Sequence, residues 1–173
     1  RRVLVYRSNK VIMERDIKME WLIRKATYSD VNTITELRIE LLMAVGDVNE
    51  GNRSKVFSAN HNYFKEKLST GGYTAWIAEV KGKIVAISGL VFFERPPQAE
   101  NIGGLEAYIM NMYTIPEYRG YGIAQSLLGK CISDCNRLGV GRIWLHSSQE
   151  GYQLYKKMGF IDKRARRVNS LRD

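Results

Sequence analysis

The stretch Thr114-Ile115-Pro116-Glu117-Tyr118-Arg119-Gly120-Tyr121-Gly122-Ile123-Ala124 constrains this chain more than any other. Before it, Leu105 to Tyr113 is apolar and aromatic and reads as a strand. After it, Gln125 to Leu138 has the 3.6-residue period of a helix. Two glycines therefore stand where a strand hands over to a helix. The first turn of a helix offers unpaired backbone N–H groups and a partial positive charge, which suits an anion. Gly120 and Gly122 let the backbone curl and come close to a phosphate, and Arg119 adds a planar cationic fork. The expectation is a pyrophosphate-binding loop. It is not a dinucleotide fingerprint, because position 125, where a third glycine belongs, is Gln125. Nor is it a P-loop, because Gly122-Ile123-Ala124 lacks the terminal Lys-Ser/Thr.

The rest of the chain orders itself around that loop. Trp21 to Thr27 reads as a first strand, and Ser29-Asp30 as a helix start. Val31, Ile34, Leu37, Leu41 and Val45 recur at helical spacing up to Gly46. A second helix opens at Ser54 and stops at Gly71-Gly72. Tyr73–Val80 and Lys83–Phe93 form a hairpin about Lys81-Gly82. Arg95-Pro96-Pro97-Gln98 and Gly103-Gly104 bracket a loop. Arg142 to His146 is another strand, and Ser147-Ser148 starts a short helix over Glu150–Met158 that ends at Gly159. Hairpin strands followed by strand–helix–strand units predict a mixed α/β sheet, mostly antiparallel and flanked by helices, in a single domain. Residues 1–18 show no period, so the domain is expected over 19–173, with 1–18 an extension that is disordered or foreign to it.

Composition excludes several classes. With 45% hydrophobic and 26% charged residues, the 173-residue chain can build a core. No apolar run approaches the eighteen or so residues of a membrane span. Cys131 and Cys135 are expected as buried thiols on one helix face with Leu127 and Leu138. Neither has the neighbours of a zinc set, and no metal is expected. Free thiols fit a reducing, cytoplasmic setting. The net charge of +9 sits at the ends: six cations and two anions in residues 1–18, five and one in 163–173. The body, residues 19–162, holds sixteen cations against fifteen anions. Solvated basic ends explain this without nucleic acid, whose single-strand readers interleave aromatics with the basic residues. The C-terminal tail has none.

Four segments, in order, resemble the GNAT superfamily of N-acetyltransferases: Ile23–Thr27 with Asp30; Ala78–Val85; Tyr113–Leu128 with its Arg-x-x-Gly-x-Ala at Arg119, Gly122 and Ala124; and Leu145–Gly151 followed by Leu154–Phe160. The resemblance spans about residues 21–160. It implies the GNAT fold and acetyl-CoA as co-substrate. The cofactor contacts it implies are Met112, Tyr113 and Thr114 along the strand, then Arg119, Gly120, Tyr121, Gly122, Ile123, Ala124, Gln125 and Ser126 at the loop, and Ser148. It further implies transfer to a primary amine of a small molecule or peptide by direct attack, with Tyr155 protonating the departing thiolate. A phenol stays protonated at neutral pH and can serve. The tail departs from the family, since Asp162 to Arg167 is mostly charged where a last alternating strand is usual.

The general base is less marked. Glu106 lies on the strand leading to the loop and is the first candidate. Glu36 and Glu40 on the first helix, His61, His146 and a water chain are others, and Asn111 could orient substrate. A non-catalytic acetyl-CoA sensor is the alternative class. The acceptor amine, and whether a second copy of the chain is a partner, stay open.

Overall fold

A computed structural model describes residues 2–6 and 19–162. Seven strands make one sheet: β1 (Arg2–Tyr6), β2 (Leu22–Lys25), β3 (Thr74–Val80), β4 (Lys83–Glu94), β5 (Leu105–Thr114), β6 (Arg142–Ser147) and β7 (Phe160–Asp162). Their order across the sheet is β2-β3-β4-β5-β6-β1-β7. Every neighbouring pair is antiparallel except β5 and β6. Among the described residues the α-helices are α1 (Val31–Ala44), α2 (Arg53–Thr70), α3 (Ile123–Arg137) and α4 (Tyr152–Lys157). The mixed, mostly antiparallel α/β fold expected from the sequence is the one observed.

The helices cover the two faces unequally. On one face α1 and α2 lay Val31, Ile34, Leu37 and Phe64 against Tyr73, Ala75, Ile77 and Ile87. On the other, α3 and α4 bring Leu128, Cys131, Cys135 and Tyr155 onto Ala107, Ile109, Ile143 and Leu145. Both thiols are buried as expected, but Leu138 is exposed beyond the end of α3. The hairpin turn takes positive φ at both Lys81 and Gly82, the backbone that matches the twist of the flanking strands.

Arg24 and Asp30 tie the start of α1 to the edge of the sheet. Arg24 donates from both terminal nitrogens to the two Asp30 oxygens, at 2.7 and 2.8 Å, and the Thr27 N–H donates to Asp30 at 2.7 Å. These bonds, led by that of Arg24, hold the Asp30 carboxyl down to about 2.

The reading of residues 1–18 as an extension needs correction over Arg2–Tyr6. That segment runs between β6 and β7 and pairs antiparallel with both, Leu4 standing opposite Leu145 and Asp162. Leu4 is fully buried in the same apolar cluster as Leu145, Tyr155 and Phe160. Five residues are too few to show a period, and a strand flanked on both sides takes its stability from its neighbours. The charged tail read after Asp162 lies outside the described residues, as do residues 7–18.

Candidate active site

Two features of β5 open the sheet. The first is a bulge: Asn111 and Met112 together face the single β4 residue Ser88, between the pairs Ile87↔Tyr113 and Gly89↔Met110. Asn111 takes a φ of +55°, which Asn tolerates better than most residues. A bulge bends its strand and increases its twist. The second lies on the other side of β5, where pairing with β6 ends at Ile109↔Leu145. Beyond that pair β5 continues for five residues and β6 for two. The bend and the end of pairing fall at the same level, leaving a fork between the C-terminal ends of two parallel strands. Such crevices are where open α/β sheets bind ligands.

Met112, Tyr113 and Thr114 line the β5 side of the fork. The loop follows directly. Gly120 (φ +85°) and Gly122 (φ +89°) are both left-handed, and Gly122 is the N-cap of α3, with no side chain capping the helix. α3 thus begins two residues earlier than its period suggests, and the second glycine itself supplies the cap. A Cβ at Gly120 would meet nothing within 4 Å, so there is open space beside the loop at that residue. Uncapped first-turn N–H groups of Ile123, Ala124 and Gln125, beside open space and near a guanidinium, fit a pyrophosphate. Ser126 already bonds its N–H to the Gly122 carbonyl. Arg119 is anchored: its Nε donates to the Thr114 carbonyl at 3.0 Å, its guanidinium lies 5.7 Å from the Tyr113 ring centroid, and Glu150 is 3.9 Å away. Tyr121 is exposed on the loop. Ser148 accepts the Gly151 N–H at 3.2 Å and shapes the turn into α4, across the fork.

Tyr155 comes up beneath the fork from α4. It is 6% exposed, packs edge-on against Phe160, and lies in one cluster with Ile109, Leu145 and Leu128. Burial first, and then the nearby Tyr108 phenol and Cys131, push its hydroxyl up to about 12. At neutral pH the phenol therefore holds its proton and can donate it. Among the described residues no hydrogen bond occupies that hydroxyl. Gly151 is required above it, because a Cβ there would lie 2.8 Å from Tyr155 Cε2.

Glu106 is not brought to the fork. It sits three residues before Ile109, roughly 10 Å back along the strand. It is 2% exposed and held between two guanidiniums: Arg142 donates to Oε1 at 3.2 Å, and Arg95 Nε is 3.4 Å from Oε2. Buried, paired on both sides and set back from the fork, this carboxylate is poorly placed to reach a substrate amine. Of the other carboxylates considered, Glu36 is paired with Arg53 at 2.9 Å. Glu40 is exposed and faces Tyr113; burial first, then this carboxylate, raise the Tyr113 phenol.

Sequence reasoning missed the polar core beside the bulge. Asn111 Nδ2 donates to the Tyr73 hydroxyl at 3.3 Å, while Asn111 Oδ1 and Thr114 Oγ1 are buried without a hydrogen-bond partner among the described residues. Nothing in the local pattern around Tyr73 signals a partner on β5. It also missed a polar pair on the open face of the fork, the Tyr108 hydroxyl and His146 Nδ1 at 2.7 Å. Among the described residues no helix is long and apolar enough to cross a membrane, and no group of three or more His, Cys, Asp and Glu could hold a metal ion.

A bulged strand, a fork between parallel neighbours and a glycine loop at a helix N-terminus make a crevice suited to an extended ligand that carries a phosphate. A profile described as the Acetyltransferase (GNAT) family matches residues 44–160, and the chain belongs to that family. A crystal structure of a predicted acetyltransferase with acetyl-CoA from Clostridium acetobutylicum is similar at 32% identity, with a TM-score of 0.74, covering 84% of this chain and 92% of that one. A GCN5-related N-acetyltransferase from Ralstonia eutropha shares the fold at TM-score 0.78 and 23% identity, over 86% of this chain and 97% of that one. The [Ribosomal protein bS18]-alanine N-acetyltransferase of Haemophilus influenzae is 39% identical over 57 residues, which is 32% of this chain and 39% of that protein.

Proposed function

We propose that this protein transfers the acetyl group of acetyl-CoA to a primary amine by direct attack within a ternary complex. The observation that carries the reading is the fork that opens past Ile109↔Leu145, with the protonated Tyr155 hydroxyl on one side and the open Gly120–Gly122 loop at its end. In this reading the loop and the first turn of α3 hold the pyrophosphate. The free backbone edge of β5 at Met112 to Thr114 pairs with the pantetheine arm as an added strand would, and a β5 N–H polarises the thioester carbonyl.

The amine nitrogen attacks the carbonyl carbon, and the C=O π pair moves to oxygen. Collapse re-forms the carbonyl and breaks the C–S bond. Tyr155 gives its proton to the departing sulfur, and the N–H proton that the adduct nitrogen sheds restores the Tyr155 hydroxyl by way of water, so the products are an amide and a thiol. The structure with acetyl-CoA from Clostridium acetobutylicum supports the co-substrate. The match to an enzyme acting on a ribosomal-protein alanine favours an N-terminal peptide amine among the acceptors.

The test is thiol release from acetyl-CoA with a panel comprising an N-terminal alanyl peptide, a polyamine and an aminoglycoside. Turnover dependent on one of these amines is the expected result. Tight binding of acetyl-CoA without turnover on any amine would instead make the protein a sensor.

A further inference from the structure

The two sides of the fork carry different chemistry. Tyr155 approaches from the α3/α4 face, in one cluster with Ile109 and Leu145. Residues alternate along β6, so His146 and Trp144 point to the opposite face, where Tyr108 of β5 joins them. There α1 and α2 pack over β3, β4 and the far end of β5, and His146 is exposed. His146 is also the first β6 residue past the last β5–β6 pair, at the mouth of the fork. Its ring is fixed, with Nδ1 2.7 Å from the Tyr108 hydroxyl and the two rings edge to face at 5.6 Å. Val3 of β1 is its register partner on the other side.

The geometry points to His146 as the base that takes a proton from the acceptor ammonium, with Tyr108 as the positioning residue that fixes its tautomer. The inference rests on the transferase reading above. In the competent form Nδ1–H donates to the Tyr108 oxygen, which leaves the Nε2 lone pair facing solvent and the incoming amine. An imidazole is the side chain suited to exchanging protons near neutral pH. A primary amine arrives as R–NH3+ and cannot attack until one proton leaves. Nε2 accepts that proton and passes it to water. The second N–H proton, lost as the tetrahedral adduct collapses, balances the one that Tyr155 places on sulfur. The net yield is amide, thiol and one proton. Deprotonation on one face and thiolate protonation on the other keep base and acid from neutralising each other directly.

Among the described residues, three neighbours stand out around such a base. Tyr108 faces it from β5, Trp144 lies along its own strand with ring centroids 6.5 Å apart, and Val3 of β1 is apolar. From α4, Tyr155 interacts with the Tyr108 phenol. Among the described residues no ion pair engages His146. Arg95 lies over the Trp144 ring at 5.2 Å with its Nε 3.4 Å from Glu106, and Arg142 also pairs with Glu106.

Two measurements test the assignment. The first uses the pH profile of kcat/KM for acetylation of whichever panel amine is turned over. His146→Gln is expected to lose about 10²-fold at pH 7. The defect should shrink as pH rises past the point where the amine sheds its own proton, and acetyl-CoA affinity by calorimetry should stay unchanged. A variant with the wild-type profile overturns the assignment, whereas absent turnover in the wild type overturns the transferase reading instead. The second needs no acceptor. The chain has only two histidines, so 15N-resolved imidazole spectra, assigned with His61→Gln, report the His146 tautomer directly. The Nδ1–H form is expected in the wild type and the Nε2–H form in Tyr108→Phe. An Nε2–H tautomer in the wild type removes the free lone pair and with it the proposal.

Discussion

The Tyr73 hydroxyl fills the place where a side chain at Gly89 would begin: a Cβ there would lie 2.1 Å from the oxygen and 2.5 Å from Cζ. Gly89 is the β4 residue at which pairing with β5 resumes beside the bulge, and Tyr73 also holds Asn111. Ring, glycine and bulge therefore form one packed unit. Gly89→Ala should cost roughly 1–3 kcal/mol, the usual penalty for overpacking a filled core. Denaturant unfolding measures the loss. Full wild-type stability would mean the Tyr73 ring moves aside freely.

Gly122→Val should abolish acetyl-CoA binding with the domain still folded. The residue caps α3 at φ +89°, where a β-branched side chain is disfavoured and would intrude on the anion space. The strain alone should cost about 1–2 kcal/mol, a few degrees of Tm in a domain this size. Calorimetry with acetyl-CoA, alongside circular dichroism, separates loss of the site from loss of the fold. Unchanged affinity would remove the pyrophosphate assignment.

Leu4→Ala should cost about 2–5 kcal/mol, as truncation of a fully buried leucine does. Deleting Arg2–Tyr6 should cost more, since β6 and β7 both lose their partner. Because Leu4 shares a cluster with Tyr155, turnover should fall in Leu4→Ala at temperatures well below its midpoint. Thermal melts of the two variants decide it. A deletion that melts with the wild type would mean the strand adds nothing to the domain.

Acid should loosen the link between β2 and α1. The Asp30 carboxyl is held at about 2 when folded and titrates near 3.8 when not, so its contribution is full above pH 4 and fades as pH falls toward 2. The difference corresponds to on the order of 2 kcal/mol. Asp30→Asn should therefore be less stable than wild type at pH 7 by about that amount, and the gap should narrow at pH 2. Urea midpoints at the two pH values give the comparison. A gap independent of pH would mean the ion pair is not what Asp30 contributes.

Much of this was legible in local pattern. The helix over 31–44, the Lys81-Gly82 hairpin and the glycine loop before α3 follow from periods and turn residues that lie within a few positions of one another. What escaped depends on distant partners. Nothing in Val3-Leu4-Val5 says that its neighbours are residues 144–146 and 161–162. Glu106 looks like a free carboxylate until Arg95 and Arg142 close on it. The bulge at Asn111 has no marker except a residue type that tolerates positive φ. Tyr108 and His146 are 38 residues apart and meet only because β5 and β6 run parallel.

The central claim is that the Tyr155 hydroxyl donates a proton to sulfur, and Tyr155→Phe tests it most directly. The ring and its contact with Phe160 remain, and only the hydroxyl goes. The loss acts on the transition state rather than on the bound ground state, so kcat should fall while equilibrium affinity for acetyl-CoA stays within a few-fold. A general acid contributes about 10²–10⁴-fold, and a thiolate is already a fair leaving group, so the low end, about 10²-fold, is expected. Single-turnover rates remove any masking by product release. A Tyr155→Phe protein that binds acetyl-CoA normally and transfers acetyl in a single turnover about 10²-fold more slowly than wild type supports the account. One that transfers at the wild-type rate contradicts it.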